Sequence, residues 1–597
     1  MALKSRRVGP EVYAIDDCCV VYLLVDPGNR TAVAVDAGSG RWLAQLADFG
    51  VDRVTDVIVT HHHRDQTEGL PLLAAHGARI WVPPVEQDLI ADVGTHWQRR
   101  SVVNNYDLRA DRYSLLEPVP IDGTMPEYRT RRVGQLDITT LPTPGHTAGS
   151  VSYLVSLGGR RLAFTGDLIH SPGKVWSASA LQWSYVGLEG AALTMASLEL
   201  LRREGPDVLL PSHGDPMEDP EDAVARTTDR LADLIQVRLG YPTDILHRLD
   251  HPFVELSSHL LMNATSESRS YVLLSDSGSA LMIDYGYDLS TGIPVGGQRF
   301  AVRPWLPSVD VLRRDYGIDR VEVAVPTHYH DDHIAAFNLL RDVHGTEVWA
   351  ATPVADVLEN PRDYDLPCLW YDAVRCDRRI DDGTTFGWRE YELSMHALPG
   401  HTRYASAIAF EADGRRVVAT GDQQTGTWVP GAQPEIPNFQ YANGFSANDY
   451  IASAQLYQRL QPDLMITGHW QPVLVTPEYL DELVLLGREV AEVHRDLLPP
   501  EDAVFADGFD ARLTPYRIDA RDGEPFQVRV DASVPAGSKA EFALVVPDGW
   551  RWQAEGDVFT VTPSVDRPVR RARIAATVML DGRYLGQHCE ALVDVSL

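Results

Sequence analysis

The stretch THYHDDH, from Thr327 to His333, holds four side chains of the metal-binding kind within six positions: His328, His330, Asp332 and His333. Imidazole and carboxylate together suit zinc, iron or manganese. A metal held this way can drive hydrolysis without a serine or cysteine nucleophile. A solvated polar loop seldom spaces three histidines and an aspartate like this. The run before it, Val321 to Val325, alternates with β-branched residues and reads as a buried strand. The four side chains therefore share a tight turn at a strand's end. Three later anchors extend the set: His401 in LPGHT, Asp422 in ATGD and His469 in ITGHW. Each closes a short apolar run (SMHAL, RVVAT, DLMIT), so each can sit at a strand end on one edge of a sheet.

An HxHxDH motif followed by a distant His, Asp and His resembles the metallo-β-lactamase superfamily, and all seven positions are present. The resemblance implies an αββα sandwich with one metal on His328, His330 and His401. It implies a second on Asp332, His333 and His469, with Asp422 bridging the two. Two zinc ions are expected there, iron or manganese being the alternatives. Two metals roughly 3.5–4 Å apart lower the pKa of a shared water and clamp a substrate oxygen. In the family the motif aspartate also helps orient that water, which makes Asp332 the expected catalytic residue.

The elements that would position these groups occur twice. In the first half TDVIVTHHHRDQ gives a strand and then His61, His63 and Asp65, with Gln66 where the last motif histidine would stand. His146 in PGHT, Asp167 in FTGD and His213 in PSHG follow. Spacings match: 85 residues from His61 to His146 against 73 from His328 to His401, then 21 and 21 to the aspartate, then 46 and 47 to the last histidine. This internal repeat predicts two tandem metallo-β-lactamase-like sandwiches, over 1–245 and 246–500. An amide oxygen is a weaker, neutral ligand, so the first copy is expected to hold between zero and two metal ions, on His61, His63 and His146 and on Asp65, Asp167 and His213. Asp65 is the counterpart of Asp332. A scaffold role for this copy stands equally open, and the principal chemistry is assigned to the second.

Pro220 to Leu239 has helical spacing and should close the first sandwich, with the second copy starting near His251. Helices from about Ser446 to Leu460 and from Pro477 to about Leu497 should close the second. After Leu498-Pro499-Pro500 the texture changes to short alternating runs between Gly, Pro and Asp turns. That pattern predicts an all-β, immunoglobulin-like sandwich over 501–597, with Trp550 and Trp552 in its core. The fold class is thus α/β, two αββα sandwiches plus a β-sandwich. The loops after the two bridging aspartates are long and aromatic and should line pockets. They offer Trp176 and Trp183 in the first copy, and Trp428 and Tyr441 in the second. Arg403 and Tyr404, just after His401, could hold a carboxylate or oxyanion.

Lys plus Arg number 53 against 84 Asp plus Glu, a net charge of −31. That field repels nucleic acid and anionic membrane, leaving a small-molecule substrate as the expected partner. No apolar run approaches the roughly 18 residues of a membrane span. The N-terminus has no apolar core of a secretion signal, and the expected location is the cytoplasm. The five cysteines form no ladder and read as small buried hydrophobes. Oligomeric state is left open, a homo-oligomer included. The expected activity is dinuclear metal-dependent hydrolysis of a small-molecule or conjugate ester, lactone, amide, thioester or glycoside. An iron-dependent, dioxygenase-like redox enzyme is the alternative. A nuclease, or a binding scaffold in the first copy, ranks lower.

Overall fold

Short, largely apolar strands, many buried on both faces, build each copy from two sheets with a shared apolar interior. A computed structural model of the chain describes residues 3–108, 110–292, 296–425, 435–498, 511–532, 534 and 537–597. It divides into two compact units, Met1–Pro252 with Tyr287–Val311, and Phe253–Gly286 with Leu312–Leu597.

In the first unit a seven-stranded sheet runs in sequence order from Lys4–Gly9 to Gly123–Thr124. A five-stranded sheet holds Val208–Pro211, Arg160–Gly166, Val151–Leu157, Leu136–Pro142 and Thr130–Val133. Val151, Tyr153 and Val155 point to the seven-stranded sheet and meet Tyr22, Val33 and Ile58, while Leu154 points the other way, to the helices. That two-residue period is what a strand buried on both faces requires. The helix Pro220–Leu239 lies where its spacing places it, capped by the Asp219 side chain and ended by left-handed Gly240.

Residues 287–311 follow the second copy's fourth strand in sequence but pack within the first unit. Leu289 and Trp305 join Ala192, Met195 and Leu231 in one apolar cluster. The buried Arg303 donates to Glu127 Oε1 (2.9 Å), the Ala148 carbonyl (2.6 Å) and the Ser150 carbonyl (3.2 Å). The division therefore differs from a single cut at 245/246, because long-range packing outweighs nearness in the chain.

The second unit repeats the design with a seven-stranded sheet from Phe253–Glu255 to Arg378–Ile380 and a six-stranded sheet from Thr384–Trp388 to Val473–Leu474. Helices Asp449–Leu460 and Pro477–Leu497 cover the second sheet, near the expected bounds. The unit ends in two four-stranded sheets, the all-β region expected after 500. Trp550 is in their core, whereas Trp552 is 36% exposed, its strand Arg551–Glu555 facing solvent throughout. All five cysteines are free, but only Cys19 is buried; Cys18 and Cys368 are exposed, on loops rather than in the core. No helix among the described residues is long and apolar enough to cross a membrane.

Candidate functional site

Each metal-type side chain stands just past the end of a strand. The strand Arg320–Val325 delivers His328 and His330, and the extended backbone at His330 (φ −60°, ψ 144°) leads into the one-turn helix Asp331–Ile334. Residues two apart on extended chain face one side, and the helical turn then swings Asp332 and His333 in beside them. This turn is seated backbone to backbone: Tyr285 N donates to the His333 carbonyl (2.6 Å), and a Cβ on Gly286 would fall on the Asp332 main chain. The first copy uses the same construction at His63 and Arg64–Thr67.

Four groups of ligand atoms form, each within 4.8 Å: His328, His330, His401 and Asp422; Asp332, His333 and His469; His61, His63 and His146; Asp65, Asp167 and His213. In the second copy Asp422 stands between its two groups. Its Oδ1 is 3.4 Å from His333 Nε2, and its Oδ2 is 3.2 Å from His469 Nε2 and 3.6 Å from His401 Nε2. Asp332 Oδ2 lies 3.1 Å from His469 Nε2. In the first copy Asp167 spans both groups, 3.6 Å from His61 Nε2, 3.4 Å from His146 Nε2 and 2.8 Å from His213 Nδ1.

In the second copy, hydrogen bonds on the far side of three of the rings set which nitrogen faces inward. Thr327 Oγ1 donates to Asp284 Oδ2 (2.8 Å), so it accepts from His328 Nδ1 (3.1 Å) and leaves Nε2 as the lone pair. His333 Nδ1 donates to Asp284 Oδ2 (2.9 Å) and His401 Nδ1 to the Asn438 carbonyl (2.6 Å). His328 Nε2, His333 Nε2 and Asp422 Oδ1 are then buried without a hydrogen-bond partner, as are His61 Nε2, His63 Nε2, Gln66 Oε1 and Asp167 Oδ2. Buried lone pairs facing carboxylates repel unless a cation lies between them. Burial would pull His469 down, but Asp332 and Asp422 outweigh it and hold the imidazole up at about 10. His333 is raised well above the ordinary range, against burial, by Asp332, Asp422 and Asp284. The donor set, with these inward-facing atoms buried and unpartnered, fits a pair of metal ions.

Among the ligands, the copies differ at Gln66 and His333, and this difference is linked to a second, Ser212 against Gly468. In the second, Gly468 leaves room for His333. In the first, Gln66 replaces the histidine and donates to Asp65 Oδ2 (3.0 Å), while Ser212, at the place of Gly468, donates to Asp36 Oδ2 (2.7 Å). Asp36 matches Asp284 and also receives Thr60 N (2.8 Å). Burial pushes its carboxyl up to about 7, against the hydrogen bonds from Thr60 and Ser212. The unfolded value is near 3.9, so the stabilisation from neutral Asp36 is complete below about pH 4 and lost as pH rises through about 7. Asp36→Asn removes that loss. In metal-free protein the variant's stability relative to the native chain is expected to rise from pH 4 to 8 by at most roughly 4 kcal/mol. Melting curves at several pH values check this, and a constant difference would mean that Asp36 does not titrate there.

The expected substrate contacts divide by burial. Trp176 is half-exposed and stacks flat on His213, ring centres 3.8 Å apart. Tyr441 is exposed, with its hydroxyl 2.8 Å from His494 Nε2. Trp183 is instead buried, its indole donating to the Ala180 carbonyl (3.1 Å), and Tyr404 is buried with its hydroxyl engaged by Arg512. Neither ring faces solvent: Trp183 packs its own loop, and Tyr404 packs edge-on against Tyr329 and Tyr364. Arg403 is exposed, its main-chain N–H donating to Asn443. Trp428 lies outside the described residues. Three supports went unread in the sequence. Glu86 receives the His62 N–H (2.6 Å) and the Thr147 hydroxyl, tying the two first-copy ligand loops together. Asn443 sits against His330, and His62 Nδ1 lies 2.9 Å from Glu86 Oε2.

The model of the metallo-beta-lactamase superfamily matches residues 16–213 and 265–469, more than half of the chain. The chain belongs to this superfamily. Over 153 residues, 25% of this chain, it is 32% identical to the hydroxyacylglutathione hydrolase of Methylobacterium nodulans, covering 48% of that protein. It is 29% identical over 153 residues to that of a Methylobacterium species, strain 4-46, with the same shares of 25% and 48%. The chain thus spans about half the length of the curated relatives it matches. Among solved structures it is similar to a HARLDQ motif mutant of the metallo-beta-lactamase from Cronobacter sakazakii. Identity is 18%, coverage 41% of this chain and 98% of that one, and the TM-score 0.31.

Proposed function

We propose that the chain is a metal-dependent hydrolase of small-molecule or conjugated esters and their kin, thioesters foremost, with its principal chemistry in the second copy. The observation that carries this reading is the pair of ligand groups sharing Asp422, with His328 Nε2, His333 Nε2 and Asp422 Oδ1 buried and unpartnered. The relatives named hydroxyacylglutathione hydrolase support a thioester among the electrophiles. Zinc is the metal the nitrogen-rich set favours. Bound there, two zinc ions would supply Lewis acidity and a nucleophile at neutral pH. The chain's own part is orientation. Asp284 holds the Nδ1 proton of His333, Thr327 that of His328, and the Asn438 carbonyl that of His401. Asp332, with a fifth of its side chain exposed, would hold one metal through Oδ2 and help orient the attacking water. The first copy binds metal more weakly, since Gln66 brings an amide where the second brings an imidazole. Five free thiols suit the reducing cytoplasm, where we place the protein.

Elemental analysis of protein purified without added metal tests this. About two zinc ions per chain, lost in His328→Ala, are expected, with hydrolysis of a chromogenic thioester that falls at least about a hundredfold in His333→Ala and far less in Gln66→Ala. Mostly iron, or equal small effects of the two substitutions, would sink the assignment.

A further inference from the structure

The C-terminal sandwich reaches the second copy's site along two routes that meet at His330. The first begins at Arg512, on the strand Ala511–Thr514. Its guanidinium donates to the Tyr404 hydroxyl and lies 5.0 Å over the Tyr364 ring. Tyr404 packs edge-on against the buried Tyr329, ring centres 6.1 Å apart. The Tyr329 hydroxyl donates to Asn443 Oδ1 (2.9 Å). The Asn443 amide nitrogen donates to the His401 carbonyl (3.2 Å) and lies 3.3 Å from His330 Nε2, on the side of the ring away from His401.

The second route runs through the main chain. Tyr516 N donates to the Asp363 carbonyl (3.2 Å) and Arg517 to the Pro361 carbonyl (3.0 Å). Five residues beyond Asp363, the Cys368 carbonyl accepts from Asp331 N (3.0 Å), and Leu369 forms a β-bridge with His330. The sandwich thus grips both the loop after His401 and the strap over the HYHDD turn.

We propose that this sandwich is a positioning domain for the second copy's site, and that Arg512 is its positioning residue, setting the His330 ring through Tyr404, Tyr329 and Asn443. The proposal rests on His330 being a metal ligand. Outer partners of a ligating histidine typically govern metal affinity by 10–100-fold. Arg512 acts through three intervening side chains, so the lower end of that range applies.

The test uses the full chain loaded with cobalt(II), whose visible absorption reports ligand geometry, and a chelator competition for retention. Arg512→Ala is expected to weaken retention of one class of cobalt about tenfold and to shift the visible band, with Arg512→Lys restoring most of both. Tyr404→Phe, which removes only the hydroxyl, is expected to give the same shift and decides the matter should Arg512→Ala not fold. Native retention and band in Tyr404→Phe would overturn the proposal, as would a folded Arg512→Ala with both unchanged. His330→Ala separates the two ideas: if it leaves retention and band unchanged, the metal-site reading itself fails. If it alters both while the Arg512 and Tyr404 variants do not, only the positioning role fails.

Discussion

A serine in place of Gly468 is expected to remove one metal ion from the second copy and at least about a hundredfold of its activity. A Cβ at this position would fall onto Asp422 Oδ1 and 2.8 Å from His333 Cε1. Both atoms belong to groups that face the site, so neither can retreat without turning a ligand away. The first copy shows the other compatible pairing, serine with glutamine, where Ser212 donates to Asp36 Oδ2 as His333 Nδ1 does to Asp284. Glycine goes with histidine and serine with glutamine. It follows that Gln66→His alone should add no metal to the first copy, while Gln66→His with Ser212→Gly should. Elemental analysis per chain, with circular dichroism to verify folding, decides both. A folded Gly468→Ser protein with the native metal count would show that the groups can rearrange around the new side chain.

The second large effect falls on stability. Arg303 and Glu127 keep only 4% and 5% of their side chains exposed. Removing one partner of such a pair leaves the other buried and uncompensated, at a cost of about 3–5 kcal/mol. Arg303→Ala also strands the carbonyl of Ala148, two residues beyond His146, while the Ser150 carbonyl keeps the Thr143 N–H (3.0 Å). Denaturant unfolding should place the loss in the first unit. Arg303→Met with Glu127→Leu is expected to recover much of the stability, because two apolar chains leave no charge behind. A loss under about 1 kcal/mol for Arg303→Ala would mean that water reaches the pair.

The ligand set was legible because its members lie in short motifs at strand ends, where a few neighbouring residues dictate both position and direction. The repeat was legible because the spacings from His146 to His213 and from His401 to His469 nearly coincide. What holds the ligands was not. Glu86 stands alone in WVPPVEQ, and Asn443 reaches His330 from 113 positions away. Trp183 and Tyr404 show the converse: aromatic residues in a loop beside a site look the same in sequence whether they face a substrate or pack inward. The allegiance of 287–311 was hidden for a similar reason, since Leu289, Arg303 and Trp305 are ordinary core or paired residues for either copy.

That allegiance has a consequence for synthesis. The first unit lacks Arg303 and Trp305 until residue 311 has left the ribosome, by which time the opening strands of the second unit, from Phe253 to Ile283, are already out. At roughly 5–20 residues per second, Glu127 waits about 3–10 s beyond residue 252 for its cation, Arg303. During that interval the nascent first half must keep a half-built apolar cluster from other chains, while strands destined for its neighbour hang from its end.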